Sequence, residues 1–461
     1  MTEGARPDPA VRAELVASPP EPSTPRRHDP LTAQLLLGAC RAAVGSPAGA
    51  VDELHRVVLR TLAGSGPSQI HAALERLEAA AARHRVTGPV RRGLALLDLQ
   101  GRDRPVGTAP GDTAIAAVAD GVSDLDRRLE ALEHTTARRQ LQVRAALQRV
   151  ATTLGDEVPW LTFKGPVLAA AGWAGLGPRS SLDIDVLVAP DRFRTALGLL
   201  EGSGHTVTEA NWRMLRRAPA GQLHLTTPFG IGLDLHWHLV NAPDLRRGFD
   251  IDVPGFLERR VAQQVGDVVV PTLDPTDTVL HLALHTVESG AHRLSWFVDL
   301  HTTARRPQVD WLTLEERAEA QGLGLVTAAA LQRTVGLFGT PVDLEMVRRL
   351  DGGSRRLAQL RRWDRRRPVP ATARVGMLDP AYLLARTLAA TDLESDRRLA
   401  ARIAKGVTPA GAWRALVRLR SDDGYAVPTA QQLDHIAGTL RDREAFMDHV
   451  ERAAGMPSGA S

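Results

Sequence analysis

The stretch Ser181-Leu182-Asp183-Ile184-Asp185-Val186-Leu187-Val188 constrains this chain more than any other. An extended strand turns successive side chains to opposite faces, so Asp183 and Asp185 share one face and Leu182, Ile184 and Val186 the other. Two carboxylates that close repel and raise each other's pKa. A divalent cation between them removes the conflict. Aspartate oxygens are hard ligands suited to magnesium, which commonly takes one or two carboxylates together with substrate phosphates. The pair therefore reads as a metal-dependent phosphate site. Taken alone, it also reads as a solvated edge strand or an acidic pair beside a turn.

The length, 461 residues, suits two to three domains or one core domain with helical extensions. With 43% hydrophobic residues the chain can bury a sizeable core, and with 4% aromatics its packing leans on Leu, Val and Ala. No apolar run approaches the roughly 18 to 20 residues of a membrane span, so no membrane partner is expected. The N-terminus lacks the apolar core of a signal peptide. A single cysteine, Cys40, allows no internal disulfide. Together these predict a cytoplasmic protein. Lys and Arg number 57 against 53 Asp and Glu, a net charge of +4, which argues against a dedicated nucleic-acid binder and leaves room for a local basic face.

Residues 1–30 are rich in proline and read as a disordered tail. A helical region is expected over 31–150. Val51, Leu54, Val57, Val58 and Leu62 follow three-to-four spacing, as do Ile70, Leu74, Leu77 and Ala81. Gly101 to Asp112 reads as a loop. A long helix follows, carried by Val122, Leu125, Leu129, Leu132, Val143, Leu147 and Val150, with Ser123 as its N-cap. A core is expected over 151–275. Trp160 to Phe163 is extended and ends in Lys164-Gly165-Pro166, where proline suits the first position of a helix. Asp191 is expected to cap a helix running to Leu200, and His205 to Val207 to be extended. Gln222–Thr226 and Ile231–Val240 flank Pro228-Phe229-Gly230 as a hairpin. A second helical region is expected over 276–453 and a flexible end over 454–461. The arginines between 355 and 367 read as a solvated helix face or a docking surface for a polyanion such as RNA.

The second hairpin strand reads Gly232-Leu233-Asp234-Leu235-His236-Trp237-His238, so Asp234, His236 and His238 are expected on one face. Asp234 on a neighbouring strand would complete the site begun by Asp183 and Asp185. Metals bridging such carboxylates and a triphosphate would activate a hydroxyl and neutralise the leaving pyrophosphate. Asp234 with His236 and His238 also suits zinc. His281 and His285 stand four apart on one helical face. They read as packing against the core or, for His285, as a contact to substrate phosphate. Arg293 and Asp299 read as a structural ion pair or as site residues.

Phe163-Lys164-Gly165-Pro166, Arg179-Ser-Ser-Leu-Asp183-Ile-Asp185-Val-Leu-Val and Leu233-Asp234-Leu-His236-Trp-His238, followed by His281-Leu-Ala-Leu-His285 and Arg293-Leu-Ser-Trp-Phe-Val-Asp299-Leu, occur in one order. Over roughly residues 150–330 this resembles the uncharacterised bacterial nucleotidyltransferases of the polymerase-β-like superfamily. The resemblance implies an α+β fold, a small mixed sheet flanked by helices with helical N- and C-terminal additions. It implies that Asp183 and Asp185 bind magnesium, or manganese in its place. Asp234 would be the third carboxylate, a ligand and a base for the incoming hydroxyl. Gly165 would sit at the phosphate turn, Lys164 would neutralise the triphosphate, and Arg179 would do the same or pin the strand. The wider superfamily has Gly-Ser or Gly-Gly where Lys164-Gly165 stands, and Pro166 supplies no N–H to a phosphate.

The expected activity is magnesium-dependent transfer of a nucleoside monophosphate from an NTP such as ATP to a hydroxyl or phosphate acceptor, releasing pyrophosphate. The acceptor can equally be RNA, such as tRNA, or protein. A different class of function is a non-catalytic nucleotide-binding or interaction module, which three close carboxylates argue against. Neither acceptor nor oligomeric state is legible in the residues.

Overall fold

The computed structural model describes residues 29–62, 65–97, 112–208, 211–366, 388 and 438–454. The expectations for the tail over 1–28, the loop over 101–111, the segment 367–437 apart from Leu388, and the end over 455–461 lie outside the described residues.

The chain opens with helices α1 (Pro30–Val44), α2 (Ala50–Leu62), α3 (Pro67–Arg83), α4 (Thr87–Ala95) and the long α5 (Asp112–Leu154). Asp29 caps α1, its carboxylate accepting from the Leu31 and Thr32 N–H groups. The apolar stripes read from spacing are the buried ones: Leu54, Val58 and Leu62 on α2, and Ile70, Leu74, Leu77 and Ala81 on α3. Ser123 is not a cap. The buried stripe of α5 continues upstream to Val118, and Ser123 stands exposed in mid-helix with its hydroxyl donating to the Ala119 carbonyl. With 43 residues, α5 is about 65 Å long. That length lets Val118 to Leu129 pack on the other N-terminal helices while Val143 to Leu154 pack under the sheet.

The core then runs β1 (Trp160–Phe163), α6 (Gly165–Gly172), β2 (Asp183–Val188), α7 (Phe193–Gly202), β3 (Thr206–Val207), α8 (Trp212–Arg217), β4 (Gln222–Thr226) and β5 (Gly232–His236). The five strands form one sheet in the order β1-β2-β5-β4-β3, with β2 and β5 parallel and the other pairs antiparallel. Asp191 does not cap α7. Pro190 starts a 3-10 turn one residue earlier, Arg192 takes the cap position, and no side chain caps the helix. After α9 (Pro243–Arg246) and α10 (Val253–Glu258) comes a hairpin the spacing did not reveal, β6 (Val261–Val265) with β7 (Val268–Thr272).

The helices that follow are α11 (Pro275–Glu288), α12 (Leu294–Ala304), α13 (Trp311–Ala320), α14 (Gly324–Phe338), α15 (Leu344–Asp351) and α16 (Arg355–Arg366), and a helix over Leu440–Ala453 closes the described chain. One face of the sheet, with Ile184, Val186, Leu233 and Leu235, packs on the end of α5, on α7 and on that last helix through Phe446 and Val450. The other face looks toward a larger apolar cluster. There the N-terminal helices and α11 to α16 share one core, with Phe163, Leu187 and the buried Cys40 in it. α16 buries Leu357 and Leu360 and leaves Arg355, Arg362, Arg365 and Arg366 exposed, as a solvated face would. Among the described residues no helix is long and apolar enough to cross a membrane.

Candidate active site

The polar face of the sheet is organised in rows that run across the strands. Phe163 pairs with Asp185, Asp185 with Asp234, and Asp234 with His224, so one row crosses β1, β2, β5 and β4. The next row carries Leu187, His236 and Gln222, and on the other side Asp183 stands opposite Gly232. Parallel pairing of β2 with β5 thus sets two carboxylates side by side on the one face that alternation assigns them.

Asp185, Asp234 and His236 each offer a ligand atom within 4.8 Å of the others, and all three are buried. The His236 Nε2–H donates to Asp185 Oδ1 at 3.1 Å, and its Nδ1 is buried with no hydrogen-bond partner. Two hard oxygens and an imidazole nitrogen make a donor set that fits a divalent cation. Asp183, expected in the same set, lies outside that tight group, one row along the same face.

His238 does not share the face. The strand ends at His236, and the His238 Nδ1 turns back to accept from the Val240 N–H. Burial, then the nearby Arg246 charge, pushes its pKa down to about 3.

Two residues that sequence reasoning passed over hold Asp234. His224 Nδ1–H donates to Asp234 Oδ1 at 2.5 Å and Gln222 Nε2 to Oδ2 at 2.9 Å. The alternation Gln222-Leu223-His224 in the first hairpin strand carried that signal. Lys164 reaches the site too, with Nζ at 2.9 Å from Asp185 Oδ1. Burial alone would raise the Asp185 pKa. The Lys164 charge and the His236 hydrogen bond outweigh it and hold that carboxyl well below its usual range. Asp183 has less help: burial, then the Asp185 and Asp234 charges, push it up to about 7.

Lys164 sits at φ 63° and ψ −152°, a region that is essentially glycine's. It therefore occupies a glycine conformation at the point where the chain turns from β1 into α6. Gly165 follows at φ 36°, and a Cβ there would lie 3.2 Å from Ser181 Oγ and 3.3 Å from the Asp183 carbonyl. The turn is pressed onto the start of β2. The Val167 and Leu168 N–H groups both return to the Lys164 carbonyl, so they serve the helix and not a ligand.

Arg179 pins the loop before β2. Its Nε and Nη2 reach Asp299 on α12 at 2.8 Å each, and Trp173 Nε1 donates to the same carboxylate at 2.7 Å. Asp299 thus takes Arg179 as its partner, while Arg293 lies over the Trp296 ring at 5.7 Å. Asp299→Ala leaves a buried guanidinium unpaired, and should cost about 3–5 kcal/mol of unfolding free energy in urea. A loss under about 1 kcal/mol would show that the pair does not anchor the loop. His281 and His285 lie beside the carboxylates and outside the metal-capable group. His281 packs edge-on to Phe163 at 4.7 Å, and His285 stacks on His281 and meets Trp296 edge-on. Burial, then the Lys164 charge, holds both well below the ordinary histidine value.

A family model described as an uncharacterised nucleotidyltransferase matches residues 71–339. No curated protein matches the chain. The match reaches further upstream than the motifs do, taking in most of α3 and all of α4 and α5 with the sheet and α11 to α14. Covering more than half of the chain and every residue of this carboxylate face, it shows that the protein belongs to the uncharacterised nucleotidyltransferase family, a family of transferases.

Proposed function

We propose that the protein transfers a nucleoside monophosphate from an NTP to a hydroxyl or phosphate acceptor, with release of pyrophosphate and in dependence on magnesium or manganese. The observation that carries this is the row in which Asp185 and Asp234 stand paired across parallel strands with His236 in ligand range. In this reading Asp185, Asp234 and His236 hold a divalent cation, with Asp183 one row away toward the substrate. Gly232, opposite Asp183, carries no side chain to fill that space. When bound, the cation supplies positive charge to the triphosphate oxygens and lowers the pKa of an attached oxygen nucleophile.

The chain's own residues do the rest. The acceptor oxygen forms its bond to the α-phosphorus as the bond from that phosphorus to the bridging oxygen breaks, and pyrophosphate leaves with the electron pair. The acceptor proton goes to Asp234, which His224 and Gln222 orient from β4. Lys164, with its Nζ 5.1 Å from the centre of the Phe163 ring, neutralises charge at Asp185.

The test is incubation of the purified protein with each α-labelled NTP, magnesium or manganese, and separated small-molecule, RNA and protein fractions of a lysate. Label should move to one fraction with equimolar pyrophosphate, and only with a divalent metal. Absence of both NTP binding and label transfer with either metal would overturn the proposal. The fraction that takes the label names the acceptor class.

A further inference from the structure

We propose that the cavity between α5, α6 and the β6–β7 hairpin is a binding site for a small organic anion, a phosphate or carboxylate carried on a compact apolar body. The proposal goes beyond nucleotidyl transfer and does not rest on it.

The charge of the lining selects the anion. Two arginines, Arg144 and Arg179, line the cavity and no acid does. Acids behind its walls are held by other contacts: Asp299 by Arg179 and Glu133 by Arg91. Arg179 is thereby spent on its two-point pair with Asp299. Arg144 is not. It is half-buried on α5 and has no hydrogen-bond or ion-pair partner among the described residues. A guanidinium drawn partly out of water without a partner costs free energy, and an anion that its fork of donors can meet offsets that cost. Ser181 adds a second donor. It is 6% exposed, and its Oγ accepts from Arg179 Nη1 at 3.3 Å while its own O–H has no acceptor among the described residues.

The hairpin makes the room for Arg144. Gly266 stands at its tip with φ 63°, a conformation that favours glycine. A Cβ there would come within 2.9 Å of Arg144 Nη1, so the residue the turn requires is also the one that leaves space for the guanidinium.

The size and the remaining walls call for an organic body. The volume is about 240 Å³, the share of roughly eight waters and more than a bare phosphate fills. Trp173, Pro166 and Ala170 form an apolar wall. Trp173 Nε1–H already donates to Asp299, so the indole turns only apolar surface to the cavity. Ala170 is exposed and lies at the mouth.

The test is ligand-observed NMR titration of the full chain with phenyl phosphate, benzoate, inorganic phosphate and benzyl alcohol, in wild type, Arg144→Gln and Ala170→Trp. Arg144 has no partner to lose and Ala170 is exposed, so both variants should melt with the wild type. Phenyl phosphate or benzoate should bind the wild type with a Kd below about 1 mM, and the tighter of the two names the anionic group. Arg144→Gln should weaken that anion by about 10-fold or more, and Ala170→Trp, which sets an indole across the mouth, by as much. Failure of both organic anions to bind the wild type overturns the proposal. So does inorganic phosphate or benzyl alcohol binding as tightly as the preferred anion, or equal affinity in wild type and either variant.

Discussion

Asp185→Asn and Asp234→Asn should each lower nucleotidyl transfer by at least ~10³-fold, measured as pyrophosphate released at saturating NTP and magnesium. The side chains keep their size, so the loss reports charge and ligation rather than shape. Stability should respond in opposite directions at Asp185 and at Asp183. Asp185→Asn removes the charged partner of the half-buried Lys164 and should lower the melting temperature. Asp183→Asn should do the reverse: raise the melting temperature of the metal-free protein at pH 8 while cutting transfer at least ~10²-fold. The sign follows from the pKa of about 7 at Asp183. At pH 8 the carboxyl is ionised in the folded state against burial and two like charges, whereas in the unfolded chain ionisation costs little. A neutral amide removes that opposition. Transfer within tenfold of wild type in either Asp185→Asn or Asp234→Asn would remove these carboxylates from the chemistry.

The faces of the strands were legible because alternation is a property of one strand at a time. Asp183 and Asp185 were set on one face by their spacing, and Asp234 by the second hairpin strand. Which residue stands beside which was not legible, because register belongs to a pair of strands and depends on how both pack. The pairing of Asp185 with Asp234, and of Asp234 with His224, comes from β5 lying parallel to β2 and antiparallel to β4. His238 was misplaced for a related reason: alternation was continued past His236, where the strand gives way to a local turn that spends the imidazole on the Val240 N–H.

Helices on three-to-four spacing were read well and their ends poorly. Ser123 and Asp191 have the right chemistry for caps, but apolar burial at Val118 and the turn at Pro190 set those ends. The β6–β7 hairpin had a signal in Gly266-Asp267 before three valines, with Gly266 in the left-handed region at φ 63°. Partners distant in sequence left no trace: Asp299 answers Arg179 across 120 residues.

Acidification from pH 7 to 5 should destabilise the protein steeply, and buried neutral histidines are the cause. His238, His281 and His301 are at most 5% exposed. Burial, helped at His238 by the Arg246 charge and at His301 by the Arg305 charge, pushes the first down to about 3 and the last to about 4. Burial and then the Lys164 charge hold His281 well below its ordinary value. In the unfolded chain each takes a proton near pH 6.5, so below that pH the unfolded state binds more protons than the folded one and stability falls as pH falls. The loss is about 1.4 kcal/mol per pH unit per histidine. Between pH 6.5 and 5 that is about 2 kcal/mol each, and about 6 kcal/mol for the three as an upper bound. Asp183, pushed up to about 7, and Asp277, pushed up to about 6 by burial and then the Asp274 charge, take protons in the folded state over the same window and offset part of this loss, so the net fall is smaller than the histidine sum. The window closes for His301 near pH 4, where its folded form also protonates. Urea unfolding at half-unit steps from pH 7.5 to 5 gives the slope. His301→Gln should flatten it by about 1.4 kcal/mol per pH unit, since glutamine can still hydrogen-bond Thr340, the hydroxyl that meets His301 at 2.9 Å. A slope that His301→Gln leaves unchanged would mean that this imidazole is solvated or already charged in the folded protein.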